Sequence, residues 1–341
     1  MRILLGMSGG VDSTYAALKL KSEGHEVEGA VLVMHEYTDT AAAELAAKEV
    51  GIPLHTVDAR ELFEKIVKKN FVDEYISART PNPCVICNSE VKFKCLLDYA
   101  TEHGFDMIAT GHYAKILFNN GRYYVARGED TKKDQSYMLW RLPEAILSKL
   151  LLPLSDLKKT DIVEMSKAAG ISSAKSRESQ EICFIPDGKY TEYIEAHAAP
   201  SGVGSFVDKS GMHLGEHRGI IHYTVGQRKG LEIALGRRMF VTEISAEKNT
   251  VTLEGAPRLS DTVYISGIVF SGLAPRDSGK VRLGVKVRYL ANIVSAELEF
   301  LGGGKAVARL SVPERSVTPG QCAVFYDGDG VALGGYIDKS N

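Results

Sequence analysis

No stretch of the chain approaches the roughly 18 consecutive apolar residues that a membrane-spanning helix requires. Nor does a basic, apolar leader come before the first predicted strand, which the third residue already enters, so the expectation is a cytoplasmic protein. Cysteine is scarce. Five residues, an odd number, make a poor disulfide framework, and in a reducing compartment they read as catalytic, ligating or simply buried. Neither sign of charge is in excess, with 41 Lys and Arg against 43 Asp and Glu; the net charge of -2 neither demands nor excludes a nucleic-acid partner. Internal repeats and low-complexity tracts are also missing, which excludes solenoids and biased linkers. What remains is a globular chain of 341 residues, 44% hydrophobic, long enough for two or three domains whose cores need no disulfide staples.

Ser8-Gly9-Gly10-Val11-Asp12-Ser13 joins a short apolar run, Ile3 to Met7, to an amphipathic stretch from Ser13 to Glu23. Strand, glycine loop and helix in that order aim unpaired backbone N–H groups and the positive end of a helix dipole at one point, a seat for phosphate or pyrophosphate. Gly9 and Gly10 keep Cβ atoms away from the anion, and the Ser8 and Ser13 hydroxyls can add donors. Asp12 would repel phosphate, so its reading is metal binding through a cation such as Mg²⁺, or helix capping. Strands at Val27 to Met34, Ile52 to Val57 and Asp106 to Thr110 alternate with helices at Thr40 to Val50, Glu61 to Ala78 and Ser89 to His103. That alternation implies a doubly wound parallel α/β sheet, with ligands at the carboxyl ends of strands, where both the glycine loop and Gly111-His112 fall.

Beyond Gly111 the pattern changes. Asn119-Asn120-Gly121-Arg122 signals a hairpin, helices are expected from Pro143 through Ala169 and from Tyr190 to Ala198, and Gly170 to Ser179 is loop-like. After Pro200 only glycine-punctuated short strands follow, a small β-rich unit and then a closed antiparallel barrel with strands such as Val281 to Tyr289 and Ala323 to Tyr326. Thr80-Pro81-Asn82-Pro83 breaks the helical pattern and predicts an exposed, stiff loop carrying the CxxC of Cys84 and Cys87. Cys183 also falls outside a helix interior, whereas Cys95 and Cys322 read as small core residues. No second CxxC or His pair stands at zinc spacing. Three loop thiols near a phosphate seat point to sulfur chemistry or an iron-sulfur cluster.

Gly6 to Ser13, Thr80 to Asn88, Thr110 to Tyr113, Lys133 to Tyr137, Ser179 to Ile185, Gly226 to Leu231 and Thr318 to Gln321 together resemble, in order, the tRNA-specific 2-thiouridylases. The glycine loop alone is shared by all pyrophosphatase-loop ATP enzymes, amide ligases included, so the later motifs carry the specificity. The resemblance implies an adenine nucleotide alpha-hydrolase-like ATP pyrophosphatase domain over residues 1–199, a central β-rich domain over 200–257 and a tRNA-binding β-barrel over 258–341. It also implies ATP held by Gly6, Met7, Ser8, Gly9, Gly10, Val11, Asp12, Ser13, Met34 and Gly111, with Mg²⁺. The O2 of the wobble uridine (position 34) in glutamate, glutamine and lysine tRNAs would attack the α-phosphate.

On the same resemblance, Cys183 carries a persulfide whose terminal sulfur attacks C2, and Cys87 releases it by forming a disulfide with Cys183. The site is expected to lower the thiol pKa through cations or helix ends. A cysteine desulfurase or sulfur relay protein would donate the persulfide. Cys84 stands where many family members have Asp, so Cys84, Cys87 and Cys183 could instead ligate a [4Fe-4S] cluster that delivers sulfide. The segment between Met34 and Ala41 is short where many relatives have a longer acidic loop. Asn82, Pro83, Cys84, His112, Lys133, Asp134, Gln135, Arg288, Tyr289 and Gln321 match tRNA-contacting positions. Two other classes stay in view. An amide ligase would share Ser8 to Ser13 without needing Cys183, and a non-catalytic RNA-binding module would not need the glycine loop.

Overall fold

Residues 1–172, 182–315 and 317–339 are described by a computed structural model. The expected loop between Gly170 and Ser179 lies largely outside the described residues, as do Ser179, Gln180 and Glu181 of the Cys183 motif.

Strand β1 (Arg2–Gly6) leads into α1 (Val11–Ser22), followed by β2 (Glu26–Val33), α2 (Thr40–Val50) and β3 (Leu54–Asp58). Alternate residues of β1 enter different cores. Ile3 and Leu5 pack with Ala16, Ala17, Ala46 and Ala47 of α1 and α2, while Leu4 packs with Phe63, Phe93 and Leu96. A strand buried on both faces needs helices on both faces, and its continuous apolar run is the corresponding sequence mark. Next come α3 (Arg60–Phe63), a π-helical turn Glu64–Lys68, α4 (Lys69–Ile76), α5 (Pro83–Cys87), a second π turn Asn88–Lys92 and α6 (Phe93–Glu102). Then follow β4 (Met107–Thr110), the hairpin β5 (Ala114–Asn119) and β6 (Arg122–Arg127), short helices α7 (Ser136–Leu139) and α8 (Glu144–Leu147), β7 (Leu150–Leu151), α9 (Lys159–Ala168) and α10 (Tyr190–His197). The first sheet is parallel, in the order β3-β2-β1-β4-β7. Its order reverses between β1 and β4, so the crevice of a doubly wound sheet opens above their carboxyl ends.

The central sheet holds β8 (Gly204–Val207), β9 (His213–His217), β10 (Phe240–Ser245) and β11 (Thr250–Glu254) in the order β10-β11-β8-β9. The last unit is a closed antiparallel barrel of β12 (Leu259–Phe270), β13 (Lys280–Lys286), β14 (Val294–Gly302), β15 (Lys305–Arg315), β16 (Cys322–Asp327) and β17 (Gly330–Ile337), sealed by β12 pairing with β17. The β5–β6 hairpin joins this barrel edge through Gly330 and Ala126.

Three expectations are corrected here. The CxxC lies on a helix rather than a loop: Pro83 occupies the first turn of α5, where its fixed φ suits a helix and its missing N–H costs nothing. The preceding segment is not exposed either, since Pro81 is buried. The helices expected between Pro143 and Ala169 are α8 and α9, with β7 and a turn between them. Arg288 and Tyr289 sit in the turn after β13, which ends at Lys286.

Candidate active site

The chain reverses over residues 7–10 between β1 and α1. Gly9 has φ of +77°, and a Cβ there would run into Ala42 near the start of α2, so both conformation and space call for glycine. Gly10 caps α1 in extended conformation with no side-chain cap bond, leaving the first-turn N–H groups facing the crevice. Gly10 N and Ser8 N donate to the Ser8 and Ser13 hydroxyls at 3.4 and 3.3 Å, and the two hydroxyls lie 3.4 Å apart. Ser13 and Thr14 in turn donate to Gly10 O at 3.0 and 2.9 Å. This is a loop pre-shaped for an anion. Met7 and Val11 are buried, so only their backbone can face a ligand.

Asp12 is engaged by a residue that sequence reasoning missed. Lys159 Nζ, at the start of α9, lies 2.7 Å from both carboxylate oxygens, and the Tyr113 hydroxyl donates to Oδ1. Asp12, expected at a metal or a helix cap, is thus held in an ion pair here. The two residues are 147 positions apart, and a single Lys at a helix start carries no signal that would have joined them. Gly111 follows β4 so closely against α1 that a Cβ would lie 2.9 Å from the Asp12 carbonyl carbon and 3.0 Å from Ser13 N. Gln135 fastens Tyr113, two residues on: its N–H donates to Tyr113 O at 2.8 Å, and its side-chain oxygen accepts from Tyr113 N at 2.9 Å.

Met34, at the end of β2, brings the sulfur residues to this crevice, its Sδ lying 3.7 Å from Cys87 Sγ. Cys84 and Cys183 reach solvent, Cys87 is buried, and all three are free thiols. Each lies within electrostatic range of the others. Burial pushes the Cys87 thiol up to about 12, against the opposing pull of Lys92 one π turn further on. Burial also raises Cys84 and Cys183, again opposed by Lys92. The expectation of lowered thiol pKa values is overturned, because desolvation of the thiolate outweighs a single cation. Among the described residues no three His, Cys, Asp or Glu side chains are placed to hold a metal ion.

The residues expected at RNA divide into two groups. Beside the thiols, Asn82 Nδ2 lies 3.6 Å from Met138 Sδ, and Pro83 opens α5. His112 pairs with Thr110 Oγ1 at 2.9 Å and packs on Phe93; burial, helped by Lys92, lowers its imidazole to about 3. Gln321 reaches over from the barrel and donates to Thr80 O and Pro81 O at 3.0 and 3.1 Å, tying the segment before the CxxC in place. The second group lies where α7 meets the barrel. Tyr289 faces Tyr137 with ring centroids 6.0 Å apart, Arg288 is exposed and Lys133 half-buried. Asp134 is only 3% exposed and accepts from Gly128 N, Ser136 N and Ser136 Oγ, which shapes the turn beneath the surface.

Comparison with known proteins extends this local picture to the whole chain. Family models match in sequence: a tRNA methyl transferase HUP domain over residues 1–187, a tRNA methyl transferase PRC-barrel domain over 191–254 and an aminomethyltransferase beta-barrel domain over 260–337. A tRNA-specific 2-thiouridylase of Clostridium tetani is 41% identical over 99% of this chain and 98% of its own. One from Acetivibrio thermocellus is 40% identical over 98% and 99%. Among solved structures, a 4-thiouridine synthetase in complex with RNA and ATP aligns with 20% identity and a TM-score of 0.37, covering 57% of this chain and 50% of that one. With relatives of that identity along its full length, the chain belongs to the tRNA-specific 2-thiouridylase family.

Proposed function

We propose that this protein is a tRNA uridine 2-sulfurtransferase that activates the wobble uridine with ATP and replaces its C2 oxygen by sulfur in glutamate, glutamine and lysine tRNAs in the cytoplasm. The observation that carries the reading is an anion-shaped glycine loop after β1 with a sulfur-bearing segment beside it, Met34 at the end of the neighbouring β2 lying 3.7 Å from the Cys87 thiol.

ATP lies with its phosphates on residues 6–13 and its adenosine against Met34 and Gly111. The uridine O2 attacks the α-phosphate, the bond to the β-phosphate breaks, and pyrophosphate leaves over the α1 N-terminus. Lys159, paired with Asp12, offsets the carboxylate's repulsion of the phosphates. Magnesium bound to the nucleotide would offset the remaining phosphate charge, but Asp12 in its ion pair is not a free ligand for it, and no step here runs through the metal. The terminal sulfur of a Cys183 persulfide then attacks the adenylated C2, and AMP leaves. Cys87 attacks Cys183 Sγ, which breaks the sulfur–sulfur bond to the base, releases 2-thiouridine and leaves a Cys87–Cys183 disulfide. A dithiol reductant restores the two thiols, and a persulfide donor such as a cysteine desulfurase or a sulfur relay protein reloads Cys183.

The test separates the two half-reactions. Cys183→Ser should keep tRNA-dependent pyrophosphate release while losing all 2-thiouridine. Full turnover by this variant would favour an amide ligase, and a wild-type protein with no tRNA-dependent pyrophosphate release would favour a non-catalytic RNA-binding module. Iron that copurifies under anaerobic conditions and is required for thiolation would move the sulfur from Cys183 to a cluster held by Cys84, Cys87 and Cys183.

A further inference from the structure

The Gly226 to Leu231 motif has no part in the crevice chemistry, yet it opens a loop with a distinct charge pattern. Arg228, Lys229, Arg237 and Arg238 are all exposed, and none of them forms an ion pair among the described residues. Elsewhere cations of this slightly acidic chain are commonly paired, as Arg79 is with Glu74 and Asp338. The three arginines line a concavity of about 590 Å³ in the central unit, whose acidic lining residue, Glu232, is drawn 3.5 Å from Arg218. With Glu232 drawn towards Arg218, four like charges on one loop lack an ion-pair partner among the described residues and repel one another, so a fold that keeps them there is poised for a polyanion.

The loop is also held in shape. Gln227 accepts from Thr224 N through its side chain at 3.0 Å, donates to Lys229 O at 3.0 Å, and its carbonyl accepts from Val241 N at 2.9 Å. Leu231 and Met239 anchor its two ends in the apolar cluster that also holds Phe184 and Ile185, the residues after Cys183. The loop that bears the cationic concavity is thus fastened to the same apolar core as the residues that follow Cys183. Protein-docking surfaces centre on buried aromatic anchors, and no aromatic residue lies between Tyr223 and Phe240. Arginine forks suit phosphate oxygens.

Resting on the function proposed above, we infer that Arg228, Lys229, Arg237 and Arg238 form a phosphate-backbone clamp for the tRNA, separate from the Arg288-Tyr289 turn, that holds the RNA flanking the wobble base on the Cys183 side.

The test is equilibrium binding of an unmodified tRNA transcript across a salt series, using Arg237→Gln/Arg238→Gln and Arg228→Gln/Lys229→Gln, each checked by circular dichroism for folding. Because these side chains are exposed and unpaired, the variants should fold. Each double substitution should lower the slope of log affinity against log salt by about 2, one for each phosphate no longer neutralised, and weaken binding at least about tenfold. An unchanged slope and affinity overturns the clamp. So does an unchanged slope together with slower sulfur uptake from a protein persulfide donor, which would assign the loop to that protein. Wild-type protein that makes no 2-thiouridine would instead overturn the wider functional reading, a failure that the binding series does not share.

Discussion

Cys87 lies deepest of the three thiols, and its burial sets a reactivity order that labelling can read. A thiol pushed up to about 12 is protonated throughout the neutral range, whereas Cys183 and Cys84 are raised but open to solvent. Iodoacetamide at pH 8 should therefore label Cys183 and Cys84 well before Cys87, as followed by peptide mass analysis; early labelling of Cys87 would contradict the assignment. His112 gives a second readout. Its imidazole is held near 3 against an ordinary 6.5, so the folded state binds the proton less readily than the unfolded chain. The stability this contributes is complete above pH 6.5 and is lost as the pH falls from 6.5 towards 3. Denaturant titrations at pH 7 and pH 4.5 should show a smaller acid loss in His112→Gln than in the wild type. Both residues were visible in the sequence as site candidates. Their ionisation was not, because desolvation depends on neighbours such as Phe93 and Met34 that only the fold supplies.

Among the elements, the glycine loop and α2 were legible because local chemistry fixes them: a glycine pair between an apolar strand and a helix, and an alanine-rich run closed by Gly51 at φ of +70°. The CxxC helix was not, since Pro81 and Pro83 read as breakers, and only the position of Pro83 in the first turn reveals a helix start. Two substitutions probe how these elements meet. Gly111→Ala forces a Cβ to within 2.9 Å of the α1 backbone, an overpacking that costs about 1–3 kcal/mol and should raise the KM for ATP about tenfold. Gln321→Ala removes two donors from Thr80 O and Pro81 O, about 1–2 kcal/mol of support, and should speed proteolysis near residues 77–82 without abolishing ATP binding. Unchanged ATP kinetics would count against the first of these packing arguments, and unchanged cleavage against the second.

At the scale of the molecule, alternation announced a β-barrel in the second half, but a period of two says nothing about partners. The closure of β12 on β17 and the joining of Ala126 to Gly330 link residues far apart in the chain, and no local pattern encodes them. This joining brings the Arg288-Tyr289 turn to the Lys133–Tyr137 segment through Tyr137. Arg288→Ala should accordingly weaken tRNA binding and lower the salt slope by about 1, measured on the same transcript. The account as a whole turns on what the crevice makes. Mass analysis of nucleosides from tRNA incubated with the protein, ATP and a persulfide donor should show 2-thiouridine at the wobble position, dependent on ATP and lost in Cys183→Ser; tRNA that stays unthiolated, or thiolation that survives without ATP or Cys183, would contradict it.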